Sequence, residues 1–415
     1  MDNMYLIAAE WMGLALLASL ISVRIGVAVA LLEIGMGVIG GNLLGLQTNA
    51  WIDFLAGFGS VLLTFLAGAE IDPGSLRRHG KAALAIGAIS FLIPFAAAFG
   101  FAYFVAGWDL HAAEIAGTAL STTSVAVVYA VMIESGLSQH DLGKTILAAC
   151  FVTDLGTVLA LGVLFADFNP LLIAFIGATA IALYLLPRLT HWFLVHVPNR
   201  VSEPEIKFLF LVLLLLGGLA TAANSEAVLP AYLVGLVVAG VFVRERVVVN
   251  RMRSIAFSVL TPFYFIKAGL YVSAPAVAAG AGLIVVFLII KLVTKAIGVW
   301  PMSRAFGLST REANYTTLLM ATGLTFGTIA SLFGLTNGYI DQAKYTILVT
   351  TVILSAVVPT LIATTFFAPR IPSELEAGDI EAAEEIDSGP FHLPNALRTG
   401  QGRPIDRPAD EVEPA

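Results

Sequence analysis

Residues 145–165, TILAACFVTDLGTVLALGVLF, form an apolar run interrupted by one charge, Asp154. About 20 apolar residues cross a bilayer as a helix, so the stretch reads as a membrane span with a carboxylate near its midplane. An ionisable side chain there costs about 2.5–3.5 kcal/mol on insertion scales, and intramembrane carboxylates mark ion or proton pathways more often than structural pairs. Thr153 precedes Asp154 and offers a neutral hydroxyl oxygen. The two together can bind a proton or a cation. The competing reading is a structural carboxylate held permanently against a lysine.

The rest of the chain has the same character. Of 415 residues, 58% are hydrophobic and 12% charged, with mean hydropathy +0.89; soluble globular chains carry about 25% charged residues. Apolar runs fall at 4–22, 25–43, 51–71, 82–106, 112–134, 143–166, 170–197, 205–224, 227–243, 255–276, 281–300, 312–333 and 344–367. They predict an all-α polytopic membrane protein of about thirteen transmembrane helices, which excludes a soluble enzyme. Connections as short as Asp167–Asn169 make successive helices antiparallel neighbours. The odd count puts the termini on opposite sides.

Lys and Arg set the orientation. With the C-terminus cytoplasmic, the inside connections and tail collect 18 of the 22 basic residues, including Arg24, Arg77, Arg78, Lys81 and Lys144. The opposite side receives only Lys344, and Lys267, Lys291 and Lys295 lie inside apolar runs. Residues 188–200, basic and aromatic, are expected as an interfacial close to the seventh helix. The first run lacks the basic flank of a secretory signal and is expected to stay as a helix. A single cysteine, Cys150, rules out an intramolecular disulfide, and six scattered histidines give no metal-ligand spacing.

The net charge of −7 is unevenly placed. From Ile371 onward there are eleven acidic and three basic residues, so 371–415 reads as a disordered acidic cytoplasmic tail, too short for a nucleotide-binding regulatory domain. The membrane body keeps 19 basic and 18 acidic residues and is nearly neutral. Neither part offers a surface for nucleic acid.

The span before Asp154 reads HAAEIAGTALSTTSVAVVYAVMIE over 111–134, with Ser121, Thr122, Thr123 and Ser124 at its centre. Four consecutive hydroxyls compete with the helical ladder for backbone groups. Near the other end, REANYTTLLMATGLTFGTIASLFGL over 311–335 has Thr322, Gly323, Thr325 and Gly327 at its midpoint. Each glycine weakens a helix by about 1 kcal/mol relative to alanine. Singly, such residues more often pack helices, but interruptions at corresponding positions of the two halves point to a transporter site. The two spans are expected to run in opposite directions, an inverted-topology repeat with two interrupted helices.

Half-helix ends expose roughly half a unit of charge each. Asp154 can neutralise the positive ends, and Lys291 or Lys295, one helical turn apart, the negative ends. Lys267, next to the turn at Pro262, is a third countercharge, able to compete with a bound cation or replace it. Glu33, in LLEIGMGVIGG, is the other buried acid, for which packing or a salt bridge is favoured over ion binding.

With these residues in view, the chain resembles the cation/proton antiporter superfamily in its monovalent cation/proton antiporter-2 branch, which includes NapA-type sodium/proton antiporters and Kef-type systems. The resemblance spans about 4–367. It is carried by LLEIGMGVIGG (31–41), FLAGAEID (65–72), LSTTSVAVVYAVMIESGL (120–137), FVTDLGTVLAL (151–161), LPAYLVGLVVAG (229–240), LTPFYFIKAGLYVS (260–273) and TKAIGV (294–299). It implies the sodium/proton antiporter fold as a homodimer, with a scaffold from 1–72 and 201–276, a linker helix in 167–200, and a mobile core from 82–166 and 281–368 that holds two crossed, unwound helices. It implies that Asp154 alternately carries a proton or coordinates the monovalent cation, that Thr123 and Ser124 are polar residues of the unwound helix, and that Lys295 is the core lysine.

Two departures bear on mechanism. Electrogenic members have adjacent aspartates, and here the first position is Thr153, so a single carboxylate predicts electroneutral 1:1 exchange. Lys267 stands where a small or polar residue is expected. The expectation is therefore an elevator-like antiporter of H⁺ against Na⁺ or K⁺, not an enzyme and without cofactor, in a bacterial inner membrane with its N-terminus outside. The absence of a Kef-type regulatory domain argues against that form of ligand gating. The alternatives weighed are a bile-acid-type organic-anion symporter, a non-transporting cation sensor and, with only one deep aspartate, an intramembrane aspartyl protease.

Overall fold

The computed structural model describes residues 4–25, 28–69, 71, 73–135, 137, 140–165, 170–196, 202–223, 227–242 and 246–369, and contains no strand among them. The chain begins with α1 (Met4–Ile25), α2 (Val29–Ile39) and α3 (Ala50–Ala69). There follow α4 (Pro73–Gly100), the short pair α5 (Leu110–Ser121) and α6 (Val125–Glu134), and α7 (Asp141–Leu164). Next come α8 (Pro170–His196), α9 (Pro204–Ala222), α10 (Val228–Phe242), α11 (Arg246–Ile255) and α12 (Thr261–Leu270). The last helices are α13 (Ala274–Ala305), the pair α14 (Thr310–Met320) and α15 (Thr325–Thr336), and α16 (Gln342–Ile362).

Among the described residues nine helices are long and apolar enough to cross a membrane, and the shorter Val29–Leu44 and Val228–Phe242 are apolar too. Together with the α5–α6 pair and the α11–α12 run, they account for all thirteen apolar stretches. Side chains outside the apolar runs start several helices. Asp109 caps α5 by accepting from Ala112 N at 2.9 Å, and Ser309 and Glu312 form a reciprocal capping box on α14.

Three boundaries differ from the sequence reading. Residues 246–253, expected as a loop, form α11, because Val248, Val249 and Met252 share a buried face while Arg251 reaches Glu203 at 2.6 Å. The eleventh span extends from 281–300 to the full Ala274–Ala305 helix, capped by Ser273. Residues 188–196 continue α8 as one helix. The acidic tail expected at 371–415 lies outside the described residues.

The helices pack in two groups. In the first, α2 lies against α1 and α12, and α3 against α10 and α12, with α8 and α9 beside α10. In the second, α4 packs on α5, α7 and α13, while α13 packs on α14 and α16 and α5 on α15. Between the groups, α10 touches α7, the helix of Asp154. The site is thus built in the second group, with one helix of the first beside it.

Candidate functional site

Both helix interruptions form, the first by the hydroxyl competition read from the sequence and the second with a threonine hydroxyl acting the same way beside the glycines. Ser121 Oγ donates to Thr118 O at 2.8 Å and Thr122 Oγ1 to Ala119 O at 3.0 Å, so hydroxyls take over the carbonyls at the end of α5. Thr122 then turns extended, with φ −63° and ψ 155°, and helix resumes at Val125. In the second gap Thr322 Oγ1 donates to Leu319 O at 2.7 Å, and helix resumes at Thr325. The two gaps meet. Ser124 N donates to Thr322 O at 3.0 Å, and Thr123 Oγ1 donates to Met320 O at 2.8 Å. Backbone groups freed in the gaps are thereby satisfied by the facing segment of the same chain, the condition for non-helical backbone at membrane depth.

Lys295 is fully buried, and its ammonium binds this crossing. It donates to Ser121 O at 2.8 Å, Thr123 Oγ1 at 3.1 Å and Ser90 Oγ of α4 at 2.8 Å. Its three donors are matched by three neutral oxygens. Lys291, one turn earlier, is also fully buried, and its Nζ has no hydrogen-bond partner among the described residues. The ammonium fills the space over Gly323, where any side chain would collide with it and crowd Thr122 Oγ1 and Ser355 Oγ. Without a side chain at Gly323, the Lys291 amine lies directly against this gap, just beyond the carbonyl end of α14.

Asp154 is 1% exposed, and its Oδ1 has no hydrogen-bond partner among the described residues. It forms no ion pair at contact distance among the described residues, although Lys295 is near enough to act on its charge. Thr153 Oγ1 donates to Cys150 O at 2.7 Å, which leaves its oxygen lone pairs free to accept or ligate. A buried carboxylate oxygen without a donor is a rare and costly arrangement in a folded protein. Here it leaves coordinating capacity for a proton or a small cation.

In comparison with known proteins, residues 12–368 match the sodium/hydrogen exchanger transmembrane family. The chain belongs to that family. Among relatives of this exchanger-family chain, a Na(+)/H(+) antiporter of Enterococcus hirae is 25% identical, with 83% of this chain and 93% of the relative covered. The Na(+)/H(+)-K(+) antiporter GerN of Bacillus cereus is 23% identical over 85% of this chain and 93% of its own length. Cation/H(+) antiporter 18 of Arabidopsis thaliana is 24% identical over 77% of this chain, which spans only 42% of that longer protein. Among solved structures, the sodium proton antiporter MjNhaP1 of Methanocaldococcus jannaschii superposes with a TM-score of 0.69 at 16% identity, covering 88% of this chain and all of the other. The exchanger family's fold is therefore the fold of this chain.

Other residues read from the sequence lie elsewhere. Lys267 is not a countercharge to Asp154: its ammonium is 2.7 Å from Asp53 of α3. Both belong to the first group of helices, where a carboxylate at the start of α3 meets a lysine near the end of α12. Glu33 is buried in α2 and has no ion pair among the described residues. Thr325 opens α15, and Thr322 and Gly327 are buried near the crossing. A cleft of about 450 Å³ opens between α3, α9, α12 and α15, with Phe58, Leu213, Lys267 and Thr336 in its walls; Asp154 does not line it. Ser90, Ser355 and Asp53 were not singled out beforehand. Nothing local distinguishes them, since each matters through a partner far away in the chain.

Proposed function

We propose that this protein is a secondary antiporter exchanging H⁺ for a monovalent alkali cation, rather than an enzyme, with Asp154 as the shared site. The observation that carries the reading is a buried carboxylate whose Oδ1 has no hydrogen-bond partner among the described residues, on a helix beside a crossing of two broken helices. The family membership and the antiport named for its relatives support it.

The coupling follows from charge. An ionised carboxylate buried without a partner costs several kcal/mol. Loaded with either a proton or a cation, Asp154 is neutral, and both loaded forms have the same net charge. Either can cross the low-dielectric region, whereas the empty ionised form is held back. Proton and cation therefore compete and exchange one for one, with Thr153, Thr123 and Ser124 supplying neutral oxygens. Lys295 keeps its three bonds to Ser90, Ser121 and Thr123 and holds the crossing together throughout. In the elevator form of this reading, the second group of helices is the mobile core and the first group the scaffold. A homodimer in a bacterial inner membrane, with the C-terminus cytoplasmic as the basic residues indicate, completes it.

The test is ion-driven proton movement in proteoliposomes across a cation series, with and without an imposed membrane potential. Asp154→Asn is expected to reduce exchange to the background of empty vesicles, and potential to leave the native rate unchanged. Cation-dependent proton movement retained by Asp154→Asn would sink the mechanism.

A further inference from the structure

Between the two groups of helices, α10 meets the helix of the ion site, with Leu229 facing Gly162 of α7. The polar contact there is made by Tyr232 of α10, a residue the transport reading has not used. Helix α10 is held firmly in the first group, because side chains at Gly68 of α3 or Gly235 of α10 would collide with the facing helix backbone. From this fixed position the Tyr232 ring enters the second group, where it is 1% exposed. Its hydroxyl donates to Phe151 O at 2.9 Å, on α7 three residues before Asp154. The ring meets Phe326 edge-on at 6.5 Å, on α15 just beyond the second helix gap.

A second tyrosine joins the groups in another setting. Tyr345 of α16 donates its hydroxyl to Ala268 O of α12. There the chain itself passes from α12 to α13, and Ser273 N donates to Thr346 Oγ1 at 3.1 Å while Gln342 Nε2 donates to Tyr271 O at 3.2 Å. Tyr345 sits at a covalent joint. Tyr232 has no such joint beside it.

We propose that Tyr232 is the bolt of the sliding boundary: its hydroxyl holds the Asp154 helix in register with α10 and must release the Phe151 carbonyl each time the ion site is carried past. The proposal rests on the elevator form of the transport reading. A displacement of a few ångströms takes a 2.9 Å bond beyond hydrogen-bonding range. On release the Phe151 carbonyl still has its place in the α7 ladder, but the phenol is left without an acceptor in an apolar boundary until it meets another carbonyl. That unsatisfied interval raises the barrier to movement, while binding at Asp154 is untouched.

The experiment uses the full chain reconstituted in proteoliposomes. Tyr232→Phe keeps the ring against Phe326 and removes the hydroxyl. The maximal exchange rate is expected to rise about two- to tenfold, the effect of one net hydrogen bond, at an unchanged half-saturating cation concentration. Amide hydrogen exchange around Phe151 is expected to quicken. Tyr345→Phe also deletes a buried hydroxyl between the groups, and is expected to leave the rate unchanged. A Tyr232→Phe rate at or below the parent's, or an equal gain from Tyr345→Phe, overturns the proposal. If the parent itself shows no antiport, the transport reading fails separately, and unchanged amide protection around Phe151 in Tyr232→Phe then overturns the bolt by itself.

Discussion

Asp53 and Lys267 lie 2.7 Å apart beside a cleft, with the Asp53 side chain 44% exposed, whereas Asp154 and Lys295 are both buried and not in contact. The residue types are the same in the two regions. In the first, carboxylate and ammonium neutralise one another. In the second, the ammonium is saturated by Ser90, Ser121 and Thr123, and the carboxylate keeps an oxygen free. A carboxylate already neutralised by a lysine attracts a transported cation less, whereas one whose nearby lysine is engaged by neutral oxygens can load and unload.

The largest effect should come from Lys295→Met, which would convert the second region into a carboxylate with no cation beside it. Three hydrogen bonds from a charged donor would go, at about 1.5–3 kcal/mol each in other proteins. We expect a stability loss on the order of 3 kcal/mol in thermal denaturation, since the acceptors would repair part of the loss, together with loss of exchange. A Lys295→Met protein with native stability and transport would erase the distinction between the two regions.

Lys267→Met should do much less. The pair is partly exposed and screened, so about 0.2–1 kcal/mol is at stake. Cation-dependent proton flux in vesicles should persist at the native half-saturating concentration. Loss of flux comparable to that of Asp154→Asn would place Lys267 back in the transport machinery.

The smallest effect belongs to a third pair, Asp341 and Lys344, 2.8 Å apart at the start of α16. Slight burial pushes the Asp341 carboxyl up, but hydrogen bonds from the Lys344 side chain and backbone outweigh it and hold the group below the usual carboxylate range. A depressed folded value means that the contribution to stability is complete above the unfolded pKa of about 3.9 and is lost as pH falls through the folded one. Asp341→Asn should cost a few tenths of a kcal/mol at neutral pH and narrow the stability difference between pH 6 and pH 3 in thermal melts. Exchange at neutral pH should stay native.

Much of this was legible because it is local. A span needs only its own apolar run, and a break needs only residues that compete for their neighbours' carbonyls, as Ser121 and Thr122 do. Asp154 stood out because a charge in such a run has no local excuse. Lys267 looked equally out of place, and only its meeting with Asp53 showed otherwise. Ser90 is an ordinary serine until α4 and α13 bring it to Lys295, 205 residues away. Helix α11 was missed because its arginines resemble an inside loop, while the buried face of Val248, Val249 and Met252 emerges only against its neighbours.

The amino-acid sequence by itself determined that this is a polytopic helical membrane protein, where two of its helices break, and which carboxylate lies deep in a span. Those are consequences of hydrophobic length, backbone competition and the cost of a lone charge, and each acts within a single segment. The tertiary structure decided which charges are neutralised and which remain available. It gave Lys267 to Asp53, divided Lys295 among three neutral oxygens, seated Lys291 over Gly323, and left Asp154 Oδ1 without a hydrogen-bond partner among the described residues. Electrostatic pairing and hydrogen bonding act over a few ångströms, and which groups come that close is settled only when helices remote in the chain pack together.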